Sequence, residues 1–306
     1  MKTGSNLEKV FEAGKFAVTA EIGPPQSANP EPLIHHAKML NGSADAFNLT
    51  DNQTAVVRLS SIASAAIIMK EGIEPVIQMT CRDRNRIALQ SDLLGACAIG
   101  VKNVLCLTGD HQIFGNEKAA KSVFDFDSVS ELYTFNKLRN EGLQPGGNVL
   151  EEKPEVYLGC AENPFATPYE FRATRLAKKV NAGADFVQTQ AIFDMDMFEL
   201  WMDEVRSRGL DKKTHILAGL IPMKTAGAAR YMKNKVPGMI VPKRIIDRMK
   251  NASDAAEEGI KLCVEQIDTL KSMKGVHGVH IMAVKWEEIV PRIAEMAGLL
   301  PRPSFD

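Results

Sequence analysis

Eight short apolar runs alternate along the chain with longer segments of helical spacing, and most of those segments end on a glycine that leads into the next apolar run. This alternation predicts parallel strands joined by right-handed crossovers, and eight repeats predict closure into a (β/α)8 TIM barrel. A third observation agrees: six consecutive apolar runs end in polar side chains, the pattern expected where strand C-termini build a site. Residues 1–306 read as a single barrel domain, with no linker or low-complexity tract dividing them. An open doubly wound sheet is the runner-up. Against it, the first run is followed by Gly23-Pro24-Pro25 and not by a G-x-G-x-x-G fingerprint.

The expected strands are residues 16–22, 44–49, 75–79, 103–107, 155–160, 185–189, 214–220 and 278–282. Most are apolar throughout, as parallel strands covered on their outer face should be. Helical spacing marks residues 30–40, 55–70, 84–99, 128–140, 168–181 and 195–208. Gly72, Gly100, Gly142, Gly183, Gly209 and Gly275 stand where a left-handed cap would end a helix. The phrases KEGIEPVIQM, AIGVKNVLCL and NAGADFVQTQ repeat this grammar. Residues 224–273 hold more than one helix, with breaks near Pro237-Gly238 and Pro242. Residues 108–127 form the longest stretch without clear periodicity, and loops of such length are usually functional.

Composition narrows the function classes. A net charge of -1 provides no strong field for nucleic acid or an anionic membrane, so neither is expected as a partner. No apolar run approaches the roughly 20 residues of a membrane span, and residues 1–14 lack the apolar core of a signal peptide. The five cysteines are odd in number and form no C-x-x-C, which reads as a reduced, cytoplasmic protein without structural disulfides. The six histidines show no zinc spacing, and no metal site is expected.

The strand ends carry the chemistry. The first run ends at Glu21, the second in Thr50-Asp51-Asn52, and the third holds Gln78 and ends at Thr80. The fourth runs into Thr108-Gly109-Asp110, the fifth into Glu162-Asn163-Pro164, and the sixth carries Gln188 and Gln190 before Asp194. Singly, each has an ordinary reading. Glu21 would be a surface residue before a turn, Asp110 an Asx-turn residue, Gln190 a satisfied interior amide and Lys179 a solvated helix residue. The run Arg82-Asp83-Arg84-Asn85-Arg86 reads as a solvated helix start or as a face toward an anionic ligand. Convergence on one end of one barrel favours a site over these separate roles.

At these residues the sequence resembles the methylenetetrahydrofolate reductases, over essentially its whole length. The resemblance rests on Glu21 with Pro24-Pro25, Thr50, Leu107-Thr108-Gly109-Asp110, Asn163-Pro164, the block Lys179-Val180-Asn181-Ala182-Gly183-Ala184, and Gln190 with Phe193-Asp194, all in order. It implies an eightfold barrel that holds a flavin and reduces 5,10-methylenetetrahydrofolate to 5-methyltetrahydrofolate by hydride transfer from the reduced flavin N5. It further implies Glu21 as the general acid that opens the imidazolidine ring, kept protonated by burial. Asp110 would stabilise the cation and tune the flavin, and Gln190 would bind the pterin. The flavin positions it implies are Thr50, Asp51, Gln78, Thr108, Gly109, Asp110, Asn163, Ala166 and Lys179. Arg172 and Arg175, on the same helix as Lys179, have spacings that could face a phosphate.

Departures from the family pattern bear on cofactor and donor. Gln78 stands where many members have histidine and Thr108 where many have arginine, so FMN stays beside FAD as the flavin. Ala228-Ala229-Arg230-Tyr231-Met232 stands where many carry a glutamine and a phenylalanine that meet folate and nicotinamide, so NAD(P)H and a partner redox subunit both stay open as donor. Leu-Thr-Gly-Asp-His followed by Phe114-Gly115 resembles the reductases of acetogens, in which the barrel often works beside a small zinc-containing partner protein. A homo-oligomer is compatible with the sequence. Two other functions compete with this one: a pterin-dependent methyltransferase barrel, and a non-catalytic barrel subunit of a larger complex. Glu21 argues against the first, since methyl transfer needs no acid for ring opening. Strand-end carboxylates argue against the second, since an idle site need not keep buried charge.

Overall fold

The computed structural model describes residues 1–236 and 238–305. Strands β1 (Ala17–Ile22), β2 (Ala46–Leu49), β3 (Pro75–Thr80), β4 (Asn103–Leu107), β5 (Tyr157–Glu162), β6 (Phe186–Ala191), β7 (His215–Leu220) and β8 (Gly278–Ile281) pair in parallel in chain order. β8 returns to β1, with His280 opposite Thr19, so the sheet closes into the barrel that the alternation predicts.

Helices fill the crossovers. α1 (Asn6–Glu12) precedes β1, and α2 (Glu31–Leu40), α3 (Ser61–Ile68), α4 (Arg86–Ala98), α5 (Ser128–Glu141), α6 (Arg172–Ala182) and α7 (Met195–Ser207) follow the first six strands in turn. Three helices lie between β7 and β8, namely α8 (Ala226–Lys235), α9 (Lys243–Asn251) and α10 (Ala255–Ser272), and α11 (Val290–Met296) follows β8. The six glycines expected to end helices all have positive φ, from 63° at Gly209 to 115° at Gly183. Leu33, Ile68, Leu93, Phe135, Leu176, Trp201 and Ile267 pack the helix layer against the outer strand faces. Each such buried side chain contributes about 1.5–3 kcal/mol relative to exposure. No helix among the described residues is long and apolar enough to cross a membrane.

Side chains alternate along a strand, so the register decides what fills the lumen. At the N-terminal end Ala17, Ala46, Val76, Leu105, Tyr157, Phe186 and Leu217 pack against Leu7, Val10 and Phe11 of α1, which plugs the bottom. Gly159 makes room for this layer, since a Cβ there would lie 2.2 Å from Cζ of Phe186. Two residues further along, the inward positions become Thr19, Asn48, Gln78, Gln188 and His280, and beyond them Glu21 and Gln190. The barrel is therefore apolar at its base and polar toward its mouth.

Several boundaries differ from the sequence reading, each for a local reason. The helix expected over residues 55–70 begins at Ser61, because Ser60 caps it by accepting from Ala63 N. Before it, Asn52, Thr54 and Ala55 sit at φ 45°, 58° and 56°, which no helix accommodates. Strand five lies two residues later than expected, and the segment after it opens as a 3-10 turn at Tyr169–Phe171 before α6. Of the two expected breaks in residues 224–273, Pro242 precedes α9, whereas Pro237 lies outside the described residues. A further break precedes α10, where Asp254 caps the helix through Ala256 N and Glu257 N.

Candidate active site

Two sizeable cavities stand out. The larger, about 790 Å³, is an apolar groove on the outer wall along α5, lined by Phe126, Val129, Tyr133, Leu143 and Pro145, with no converging carboxylates. The smaller, about 480 Å³, opens at the C-terminal mouth of the barrel. It draws side chains from β1, β3, β4, β5, β6 and β8 and gathers carboxyl, amide, guanidinium and ammonium groups against the apolar walls of Leu105, Leu107, Ala161 and Met282. Convergent polar groups in a strand-end pocket mark the candidate site, and size alone does not.

Glu21 lies at the inner edge of this cavity. It is buried, and its only side-chain hydrogen bond among the described residues comes from Gln53 Nε2 to Oε1 at 3.2 Å. Burial dominates its ionisation: desolvation raises the carboxyl from 4.5 to about 7, the Gln53 hydrogen bond opposes that rise, and the nearby Glu287 adds to it. At neutral pH the group is therefore substantially protonated.

A polar network floors the cavity. Asn48 Nδ2 donates to Gln188 Oε1 at 2.6 Å, and Gln188 Nε2 donates back to Asn48 Oδ1 at 2.9 Å and to Thr19 Oγ1 at 3.1 Å. Thr19 Oγ1 lies 2.9 Å from His280 Nδ1. Burial lowers the His280 imidazole to about 3, so it stays neutral. A register shift between β6 and β7 at Gln188/Ala191 brings both Thr189 and Gln190 to the cavity, although they are adjacent in sequence. Bulges beside sites commonly re-aim a side chain in this way.

At the opposite side, Arg175 and Lys179, one turn apart on α6, share Glu162 at the end of β5. Lys179 Nζ lies 3.2 Å from Glu162 Oε2 and Arg175 Nε lies 3.6 Å from Oε1. Among the described residues, Arg175 Nε and Nη2 are buried without a hydrogen-bond partner.

Of the residues singled out in the sequence, Glu21, Gln78, Thr108, Asn163, Ala166, Arg175, Lys179 and Gln190 come together in the cavity lining. Thr50 does not line it, but is buried, with its hydroxyl unpartnered among the described residues. Asp51 accepts from Thr80 N and Oγ1, both at 2.9 Å, and pairs with Arg84 at 2.6 Å. Its carboxylate is occupied in holding the β3 end. Arg172 donates to the carbonyls of Tyr169 and Pro164, which fixes the entry to α6 and turns it away from the cavity. Asp110 is exposed and outside the lining. Gly109, at φ 88°, turns the chain outward just before it, and Arg82 Nη1 holds the Asp110 carbonyl at 3.2 Å. The basic run before α4 is likewise committed: Arg82 pairs with Asp83, Arg84 with Asp51 and Asp92, and Arg86 with Asp125.

Gln53 and His280 line the cavity without having been singled out in the sequence, and Glu162, read there only as a polar strand end, lines it too. Glu162 was visible as a strand-end carboxylate, and His280 follows from inward parity on β8. Gln53 left no periodic signal. Among the described residues, no cluster of three or more His, Cys, Asp or Glu side chains could hold a metal ion.

Comparison with known proteins bears on this geometry. The family model described as methylenetetrahydrofolate reductase matches residues 6–298. A Caenorhabditis elegans protein named probable methylenetetrahydrofolate reductase (NADPH) is 23% identical, over 96% of this chain and 44% of its own length. The 5,10-methylenetetrahydrofolate reductase of Escherichia coli is 22% identical, over 76% of this chain and 73% of its own length. The chain thus spans about half or less of the eukaryotic relatives it matches. A Clostridium thermocellum protein, described as binding two copies of 5-methyl-5,6,7,8-tetrahydrofolic acid, shares the fold. Its TM-score is 0.68 at 15% identity, over 96% of this chain and 98% of that one. The family match takes in every strand of the barrel and every residue of the mouth cavity, and on that ground the chain belongs to the methylenetetrahydrofolate reductase family.

Proposed function

We propose that this chain reduces 5,10-methylenetetrahydrofolate to 5-methyltetrahydrofolate with a flavin, and that Glu21 is the general acid. The observation that carries the reading is a buried carboxyl raised to about 7 in the mouth cavity of a barrel of this family. The names of the worm and bacterial relatives and the methyltetrahydrofolate bound by the Clostridium protein support it.

The residues present fit a flavin. Arg175 offers a buried Nη2 with neither a hydrogen-bond nor an ion-pair partner among the described residues, and Lys179 lies beside it, a donor set suited to a phosphate or pyrophosphate. Leu105, Leu107, Ala161 and Met282 offer apolar surface for a ring, and Gln78, Thr108 and Asn163 offer polar edges. A cavity of about 480 Å³ lies within the range of cofactor and ligand sites. We take FAD as the cofactor, with FMN the alternative that uses the same phosphate donors. When bound and reduced, the flavin supplies the hydride.

The protein's own part is acid catalysis and orientation. Protonated Glu21 gives its proton to N10 of the substrate, the C–N10 bond breaks, and the one-carbon unit remains on N5 as a cationic iminium. Hydride addition to that carbon completes the methyl group. Gln190 orients the pterin by hydrogen bonding. The ionised form of Glu21 provides negative charge that favours the cation electrostatically. Asp110 enters this scheme only if the loop that carries it folds inward over bound ligand. The donor that reloads the flavin is NAD(P)H or a partner redox subunit, the small zinc-containing protein of the acetogen type being one such partner. The proposed compartment is the cytoplasm, where the five free cysteines stay reduced.

Reconstitution tests the reading. The purified chain is expected to take up FAD and show a flavin spectrum that bleaches on reduction and returns when methylenetetrahydrofolate is added anaerobically. A chain that binds neither FAD nor FMN, yet passes a methyl group from methyltetrahydrofolate to a corrinoid, would instead be the methyltransferase.

A further inference from the structure

We infer that Gln53 is a positioning residue for the Glu21 carboxyl, delivered to it by a left-handed turn that the fold clamps from several sides. The inference rests on reading Glu21 as the acid. The turn follows β2, and three of its four residues from Asn52 to Ala55 are non-glycine residues at positive φ. Such backbone persists only where the surroundings over-determine it, and it clusters at functional sites.

The surroundings here are specific. Asn52 Oδ1 accepts from Arg58 N at 2.9 Å, and Asn52 O accepts from Arg82 Nη2 at 3.3 Å. Gly115, in the long loop after β4, lies so close that a Cβ on it would stand 1.8 Å from Ala55 O. Asn116 Oδ1 accepts from Val57 N at 3.0 Å. What this construction presents to the cavity is the Gln53 carboxamide, 3.2 Å from Glu21 Oε1.

A donated hydrogen bond fixes the carboxyl rotamer and favours the ionised form. Other groups around Glu21 act differently. Glu287, after β8, disfavours ionisation. The neutral His280 faces the same lumen, Glu162 with Arg175 and Lys179 lines the far wall, and Arg58 donates to Pro24 O at 3.2 Å just beyond β1. Gln53 is thus the near neighbour that keeps burial from trapping the proton on Glu21. An acid that must give up a proton and regain it each turnover works best with its midpoint near the operating pH.

The test uses the full chain with Gln53→Met, which keeps length and removes the donor, and Gln53→Asn, which keeps the donor one methylene short. The Glu21 carboxyl band is identified in the infrared by its loss in Glu21→Gln and titrated without substrate. The expected midpoint in Gln53→Met is about half a unit to one unit above wild type, with Gln53→Asn between them. The alkaline limb of kcat for methylenetetrahydrofolate reduction should move by the same amount. A midpoint unmoved in folded Gln53→Met overturns the inference. If that variant does not fold, Gln53→Glu replaces it, and a midpoint that fails to rise beside the added carboxylate overturns it equally. If the midpoint moves while wild type reduces no methylenetetrahydrofolate, the positioning role stands and the proposed reaction falls.

Discussion

Asn48 on β2 and Gln188 on β6 face each other across the barrel and exchange two hydrogen bonds, at 2.6 and 2.9 Å, through its lumen. Their strands stand four apart in an eight-stranded ring, so the pair spans the barrel and separates the apolar base from the polar mouth.

Removing Gln188 takes both partners from the Asn48 amide, and removing Asn48 takes the donor from Gln188 Oε1, while Gln188 Nε2 keeps Thr19. Asn48→Leu and Gln188→Leu should each destabilise the protein by about 2–3 kcal/mol in urea unfolding. The double variant should lose less than the two single losses combined, since no orphaned amide remains. Additive losses would show that the pair does not act as a unit.

Gly159 is required by the Phe186 ring beside it. Gly159→Ala is expected to destabilise by about 1–3 kcal/mol through overpacking. Phe186→Leu should recover part of that loss in the double variant, as measured by thermal or urea unfolding. No recovery would place the strain elsewhere.

Arg175 and Lys179 are the residues proposed to hold the anionic part of the flavin. Arg175→Met and Lys179→Met should each weaken FAD binding about 10–100-fold, the effect of one charge-assisted hydrogen bond. Titration of flavin fluorescence measures this, with unchanged circular dichroism as the folding control. Arg172→Met should act on stability and leave flavin affinity nearly unchanged, because its guanidinium serves the Tyr169 and Pro164 carbonyls.

The barrel was legible because its signals are local and repeated: apolar strands covered on both sides, glycines at helix ends, and polar residues at strand ends. The lumen-facing residues were legible wherever a strand fixes them, as with Glu21, Gln78 and Gln190. Loops were not. Asp110 follows a glycine at φ 88° that turns it to solvent, and no spacing rule announces such a turn. Gln53 sits in a turn with left-handed Asn52, Thr54 and Ala55, of which the helix expected over residues 55–70 took in only Ala55. Asp51 and Arg172 look like ligand residues by type, yet spend their polar atoms on backbone and ion pairs that only tertiary contacts disclose.

Glu21 should also make stability depend on pH. Its carboxyl rises from 4.5 to about 7 on folding, so the folded state resists ionisation. The protein is unaffected by this group below pH 4.5, loses stability as pH rises toward 7, and carries the full loss of about 3 kcal/mol above it. Glu21→Gln removes that loss. Its stability advantage over wild type should be small near pH 4.5 and should grow through the interval to about pH 7, in urea unfolding at a series of pH values. An advantage independent of pH would mean that Glu21 ionises freely in the fold.

The most direct test of the central claim is anaerobic single turnover of the reduced, flavin-loaded protein with methylenetetrahydrofolate, followed by flavin absorbance from about pH 6 to about pH 9. Wild type should show a rate that falls as pH rises through about 7, where Glu21 loses its proton. Glu21→Gln should bind flavin normally and react about 100-fold or more slowly, without that limb. A Glu21→Gln variant with wild-type rate and the same alkaline limb would contradict the account.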